Sequence, residues 1–335
     1  MSKKVLVTGG SGFIAGWVIV ELLKQGYTVR TTLRSLDKEK MVRDGIASQT
    51  DAGDRLSFVT ADLLSDDGWD AAVAGCDHVL HIASPLGRES PKERDALVEP
   101  ARGGALRVLK AAVAAGVDRV VMTSAAATAR ERGSDAISTE AIWADPDDPL
   151  LDPYRYSKIL AERAAWDFIE KSRGKTTLTT ILPGGVFGPL LPGGTKGSVW
   201  VIGNMLEGKP PRLLNLGFSI VDVRDLAAAH VAALTAADAP GERFLCTGHF
   251  LWFPQIAQIL HDGLGAEGRK VPTKTLPDWL VWPLSVFMPQ LRMFRHDVGK
   301  RREADDSKAA KVLGFQARPT RETLLDCARS LIRER

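Results

Sequence analysis

Cysteine is scarce in this 335-residue chain: Cys76, Cys246 and Cys327 are spread across its length. None belongs to a Cys-x-x-Cys pair, so neither a disulfide framework nor a zinc site is expected. The six histidines stand at no metal-ligand spacing, and no metal is expected either. A one-signed charge excess is also missing. Lysine and arginine number 44 against 41 acidic residues, a net +3, and no basic block is long enough to argue for nucleic acid. No apolar run reaches the roughly 20 residues that a membrane-spanning helix needs. The nearest approach, 276–291, holds two of the eight tryptophans but is interrupted by Asp278 and three prolines. It reads as a pocket wall or a dimer face, so a monomer or homodimer is expected. No signal-peptide pattern precedes the first strand candidate, which makes the cytoplasm the expected location.

What is present is an ordinary globular composition, 44% hydrophobic and 25% charged. The length allows one large domain or two lobes. The most informative segment opens the chain. Val5 to Val7 is a short apolar run, followed at once by Gly9-x-x-Gly12-x-x-Ala15. Phe13, Ile14, Trp17, Val18 and Leu22 then recur at helical spacing. Strand, glycine turn and helix present backbone N–H groups and a positive helix end to a pyrophosphate. Gly9 permits the sharp turn, Gly12 lets a diphosphate approach the backbone, and Ala15 is small enough for helix–strand packing. A glycine turn alone is weak evidence; the flanking strand and helix give it weight.

Further strand candidates are Tyr27–Leu33, Leu56–Ala61, His78–Ile82, Arg119–Thr123 and Thr177–Leu182, with helical patterns between them, the clearest at Ala101–Ala115. This alternation predicts an α/β protein with a Rossmann-type, doubly wound parallel sheet. Residues 183–217 are rich in glycine and proline and carry no long regular element. A strand–helix pattern returns at Ile220–Ala236 and a short strand at Arg243–Thr247. The expected organisation is a dinucleotide-binding domain of 1–182 plus 220–247, and a smaller C-terminal substrate-binding lobe of 183–219 plus 248–335. The notable short motifs all stand at strand ends: Gly9–Gly12, Arg34, Asp62, Ala83–Pro85, Ser124 and Pro183–Pro189. Open α/β sheets bind ligands there, so one composite site is expected.

Arg34 ends the second strand candidate, with Lys38 one turn further on. An acidic residue there binds a ribose diol, whereas an arginine suits a 2′-phosphate. Arg34 and Lys38 therefore favour NADP over NAD, with Asp37 as the rival observation. Tyr154 and Lys158 are four apart and share a helical face. A lysine ammonium beside a tyrosine stabilises the phenolate and brings its pKa toward neutrality, which makes the phenol a useful acid. Tyr156 has no lysine at that spacing.

These motifs together resemble the extended short-chain dehydrogenases/reductases, in the branch of dihydroflavonol 4-reductases, cinnamoyl-CoA reductases and NADPH-dependent aldehyde and methylglyoxal reductases. The resemblance runs through Thr8–Ala15, Arg34-Ser-x-x-Lys38, Ala61–Leu63, His81–Pro85, Tyr154-x-x-Ser-Lys158 to Glu162, Val221–Asp225, and Asp306-Ser-Lys308 with Leu313-Gly-Phe315. It implies hydride transfer from NADPH to the carbonyl of an aldehyde or ketone, with Tyr154 as proton donor and Lys158 tuning it and holding ribose. It implies cofactor contacts at Gly9, Ser11, Gly12, Phe13, Ile14, Arg34, Lys38, Asp62, Leu63, Ala83, Ser84, Tyr154, Lys158, Pro183 and Val186. It also implies a serine hydroxyl on the carbonyl oxygen at the end of the fifth strand.

There the chain departs from the branch. Relatives read Thr-Ser-Ser with the second serine catalytic; this chain reads Thr123-Ser124-Ala125. Ser124 is taken as the catalytic serine after a one-residue shift; Thr128 or a water is an alternative donor, and an outright loss is the third possibility. Losing one such donor costs on the order of 3 kcal/mol in the transition state. Leu182-Pro183 also replaces a frequent Asn-Pro. Asp222 and Asp225, ahead of an alanine-rich helix, suit a cap and a lobe-tethering salt bridge. The rival functions are a nucleotide-sugar epimerase or dehydratase with bound NAD, a hydroxysteroid-type alcohol dehydrogenase, and a non-catalytic cofactor-sensing scaffold.

Overall fold

The computed structural model describes residues 2–84, 93–131, 136–194, 197–287, 291, 295 and 297–334. Seven strands form the main sheet: β1 (Lys4–Val7), β2 (Thr28–Leu33), β3 (Leu56–Thr60), β4 (His78–His81), β5 (Arg119–Thr123), β6 (Thr177–Pro183) and β9 (Arg243–Cys246). Their order is β3-β2-β1-β4-β5-β6-β9, with every pairing parallel. Val5 pairs with Val29 on one side and His78 on the other. The strand order reverses there, between β1 and β4, which is where a doubly wound sheet opens a ligand crevice. Val5, Leu6, Val7, Val79 and Leu80 are fully buried, as strands covered on both faces must be.

Helices cover both faces. α1 (Phe13–Lys24) packs against α7 (Val223–Ala232), while α3 (Trp69–Val73), α4 (Gly104–Ala114) and α5 (Pro153–Lys171) pack in series. α2 (Glu39–Ala47) follows β2. A π turn at Glu99–Gly103 leads into α4, so the helix expected at Ala101–Ala115 begins slightly later. α5 starts where its sequence dictates: the Asp152 carboxylate caps the Arg155 N–H at 2.9 Å and Pro153 occupies the first turn.

Residues 183–217 are more regular than their composition indicates. They contain β7 (Gly185–Phe187) and α6 (Trp200–Leu206). β7 pairs with β8 (Gly217–Asp222), which pairs antiparallel with β10 (His249–Trp252), giving a second, three-stranded sheet. Glycine and proline there mark a short strand and its turns. α8 (Phe253–Gly263), α9 (Asp278–Phe287), α10 (Ser307–Leu313) and α11 (Thr320–Arg333) complete the chain. Asp222 caps α7 by accepting the Arg224 N–H at 2.8 Å. Asp225 pairs with Arg318 at 2.6 Å and Arg224 with Asp326 at 3.0 Å, tying α7 to the C-terminal helix. α9 turns Val281 and Ser285 inward and leaves Trp279, Trp282, Val286 and Phe287 exposed. No described helix is long and apolar enough to cross a membrane.

Candidate active site

Because the main sheet is parallel, the carboxyl ends of β1 to β6 lie along one edge, and the expected residues gather there. After β1 the chain turns at Gly9, whose φ of +75° is a left-handed conformation that glycine adopts without strain. A Cβ on Gly9 would stand 3.0 Å from the Ala83 Cβ, and one on Gly10 would stand 2.3 Å from the Thr31 hydroxyl oxygen. Gly10 is thus as constrained as Gly9, a point its place between two motif residues conceals. Ala15 is fully buried behind the turn. Gly12 caps α1 with an extended backbone and no side-chain hydrogen bond, and no acidic residue occupies the first turn. The N–H groups at Phe13, Ile14 and Ala15 belong to a helix end that lacks intrahelical acceptors. With the positive end of the helix, they fit a diphosphate.

Thr8 fixes the neighbouring wall. Its hydroxyl accepts the N–H groups of Ile82 at 3.0 Å and Ala83 at 2.9 Å. Its own proton therefore goes to His81 Nδ1, 3.0 Å away. Ala83 and Ser84 are half-buried at this strand end, and Pro85 lies outside the described residues. After β3, Asp62 accepts the Leu64 N–H at 3.0 Å, and Arg107 holds the Leu63 carbonyl at 2.9 Å. After β2, Arg34 and Lys38 are exposed, and among the described residues neither has an ion-pair partner. Asp37 is turned onto Ser35, whose hydroxyl donates to it at 2.7 Å. Pro183 and Val186 are buried on β6 and β7, and Ser198 donates to the Val186 carbonyl.

Tyr154 and Lys158 occupy the first turns of α5. Lys158 is buried and its Nζ donates to the Thr123 carbonyl at 3.0 Å, which seats α5 on the end of β5. Burial drives the Lys158 ammonium down to about 8, partly countered by Glu162. Tyr154 is half-buried, and its phenol is pushed up to about 12 by burial and then by Asp152. This is opposite to the lowering expected from a lysine one turn away. Desolvation of the phenolate outweighs an ammonium whose own charge burial disfavours. Burial, with the nearby Lys158 charge, brings His81 down to about 3, so this imidazole is neutral at pH 7.

Ser124 has a different partner from the one expected of it. The Thr123 hydroxyl meets His230 Nε2 at 2.8 Å. Side chains alternate along a strand, so Ser124 faces the other way, toward α5. There its hydroxyl donates to Glu162 Oε2 at 2.6 Å. Glu162 also accepts from Thr180 at 2.8 Å and Arg243 at 3.0 Å. Arg243 reaches Thr128 at 3.1 Å, and Thr128 donates to the Ala125 carbonyl at 2.8 Å. Both hydroxyls considered as carbonyl donors are thus engaged in a buried structural network. Ala125 opens a 3-10 turn and carries no donor. The link between Glu162, which closes the Tyr154 motif, and Arg243 escaped the sequence reading because it spans 81 positions.

A doubly wound sheet with an uncapped glycine-rich first helix at its switch point, and a Tyr/Lys pair beside it, defines a dinucleotide-binding protein of the extended short-chain dehydrogenase/reductase type. The chain belongs to the NAD dependent epimerase/dehydratase family, whose model matches residues 5–246. It is 32% identical to cinnamoyl-CoA reductase 1 of Petunia hybrida over 332 residues, covering 98% of this chain and 91% of the relative. It is also 32% identical to the ketoreductase azaE of Aspergillus niger over 358 residues, covering 100% and 99% of the two chains. Its fold matches the crystal structure of Gre2 from Candida albicans in complex with NADPH, with a TM-score of 0.80, 26% identity and 99% coverage of each chain.

Proposed function

We propose that the protein is an NADPH-dependent reductase that transfers hydride to the carbonyl carbon of an aldehyde or ketone, with Tyr154 as proton donor. The observation that carries this reading is the buried Lys158, seated on the end of β5 one helical turn after Tyr154, at the strand edge that also holds the glycine turn. Burial holds the Tyr154 proton more tightly than in an ordinary phenol, yet an alkoxide is far more basic than a phenolate and can still take it. The reductase relatives and the NADPH complex of the similar Gre2 fold support the same reaction class.

The cofactor supplies the hydride. The uncapped start of α1, with Gly9, Ser11, Gly12, Phe13 and Ile14, binds the diphosphate. Arg34 and Lys38, cations with no ion-pair partner among the described residues, bind the 2′-phosphate and select NADPH; the carboxylate rival, Asp37, is held by Ser35. Asp62 and Leu63 lie toward the adenosine. Ala83, Ser84, Pro183 and Val186 line the rest of the crevice, and Lys158 holds ribose. The carbonyl donor is reduced to Tyr154, because Ser124 and Thr128 are engaged elsewhere. The smaller lobe built around β7, β8 and β10 supplies the substrate wall. The test is NADPH against NADH oxidation over a panel of aldehydes, diketones and aryl ketones. Carbonyl-dependent NADPH oxidation supports the reading. NAD copurifying in tight complex, with no net oxidation, overturns it in favour of an epimerase.

A further inference from the structure

α5 meets the end of β5 at two successive residues. Lys158 Nζ donates to the Thr123 carbonyl at 3.0 Å, and Glu162 Oε2 accepts from Ser124 at 2.6 Å. Lys158 and Glu162 are four apart, so both stand on one side of the helix, a turn from each other. Both are buried, and Glu162 has no exposed surface at all. Thr180 on β6 and Arg243 on β9 also donate to Glu162, at 2.8 Å and 3.0 Å. These partners are all donors, as an ionised carboxylate requires.

The two cations beside Glu162 are held differently. Arg243 has further partners: it donates to the carbonyls of Glu140 and Ile142, each at 2.7 Å, and its guanidinium lies 3.7 Å from the centre of the Trp143 ring. Lys158 has one hydrogen bond among the described residues, and its acceptor is a neutral carbonyl. Around Lys158 stand Tyr154 and Glu162 on its own helix, the Thr123 carbonyl of β5, and His81 at the end of β4, whose charged form Lys158 disfavours. His81 is neutral and Tyr154 keeps its proton, so Glu162 carries the only negative charge among them. Burial works against the Lys158 ammonium, and Glu162 is what opposes that loss. A buried ion pair is weak evidence for stability, since apolar side chains of similar volume hold a fold as well. The charge at Glu162 therefore calls for a role beyond folding.

We propose that Glu162, braced by Arg243, is a positioning residue of the reaction that acts through Lys158. It supplies the counter-charge that keeps the Lys158 ammonium charged at the end of β5, one turn from Tyr154. The charge does this rather than any single hydroxyl contact; Ser124 and Thr180 hold the carboxylate in place. The effect on rate rests on the reductase reading, whereas the effect on the Lys158 proton stands apart from it.

The test titrates Lys158 directly, through the NMR signal of its carbon-13-labelled Cε, identified by its loss in Lys158→Met. Beside it, kcat is recorded against pH with NADPH and the best carbonyl of the panel. Glu162→Gln should lower the Lys158 midpoint from about 8 by about one pH unit. Its deficit in kcat should then deepen by about fivefold between pH 6 and pH 8, because the variant loses the ammonium first. A purely structural role lowers kcat by the same factor at both. The double variant Glu162→Leu/Arg243→Met removes the ion pair without leaving a lone buried charge, a change folds tolerate. It should titrate lower in the same direction, and it carries the comparison if Glu162→Gln does not fold. A Lys158 midpoint unchanged in either folded variant, or a kcat deficit that does not deepen with pH, overturns the proposal. If no carbonyl is reduced, the reductase reading fails, and the NMR midpoint alone decides whether Glu162 holds this charge.

Discussion

Restoring a hydroxyl at position 125 is the perturbation that probes this active site most sharply. Ala125 has an extended backbone, φ −156° and ψ 147°, is 6% exposed, and opens its 3-10 turn without a side-chain cap. Ser124 faces the Glu162 network, so by strand alternation the next side chain faces away from it, toward the other side of the strand end. Serine adds one oxygen to a methyl, so little repacking is needed. A preorganised donor on a developing alkoxide contributes about 3 kcal/mol, or on the order of 10²-fold in kcat. Against this stands a desolvation cost of about 1 kcal/mol for a hydroxyl that finds no partner before substrate binds. A new cap at the turn offsets about the same amount. The expectation for Ala125→Ser is thus a kcat at least about tenfold higher with a Tm nearly unchanged. The assay is single-turnover NADPH oxidation at saturating substrate, beside thermal melting. A kcat that stays flat or falls, with Tm and NADPH affinity intact, refutes the idea that a carbonyl donor is missing at this position.

Ser124→Ala removes a donor from buried Glu162 and should destabilise the fold by about 2 kcal/mol in urea unfolding. Its kcat should change far less than its stability; a loss of about 10²-fold in kcat without unfolding would restore Ser124 to the catalytic role. Arg34→Glu should raise the KM for NADPH by roughly ten- to a hundredfold and leave NADH use similar or better. An unchanged NADPH/NADH ratio in steady-state kinetics would remove Arg34 from cofactor selection. The reductive rate should fall as pH rises through about 8, where Lys158 loses its proton, with no limb from Tyr154 below about 12. Lys158 also links pH to stability. The unfolded chain keeps this proton up to its ordinary 10.5, so between pH 8 and 10.5 it binds more protons than the folded protein. Lys158→Met should therefore flatten part of the rise in ΔG of unfolding across that window, and an identical pH slope in the variant would deny the burial effect.

The parallel sheet was legible because its strands are short β-rich runs, buried on both faces and separated by helical patterns. That the glycine turn, Arg34, Tyr154 and Lys158 stand at or beside the carboxyl ends of strands was legible because each placement depends on neighbours close in sequence. β8 and β9 were harder. The Ile220 strand leads into a helix like those of the main sheet, yet β8 joins β7 and β10, and β9 takes the outer place beside β6. Nothing local distinguishes the two, since the choice is made by pairing across the fold. The partner of Ser124 was hidden for a related reason. The serine's spacing fits a shifted catalytic serine, but the side of the strand it faces is fixed by Glu162 and Arg243, residues 38 positions and more away. The direction of the Tyr154 shift also depends on burial, which a two-residue motif does not encode.

The most direct test of the central claim follows deuterium from NADPH carrying deuterium at both C4 positions into product in a single turnover with a carbonyl substrate, for the wild type and Tyr154→Phe. The account predicts an alcohol labelled at the former carbonyl carbon in the wild type, and a rate lower by about 10²-fold or more in Tyr154→Phe with NADPH affinity retained. Unlabelled product, or equal rates for the two proteins, would contradict it.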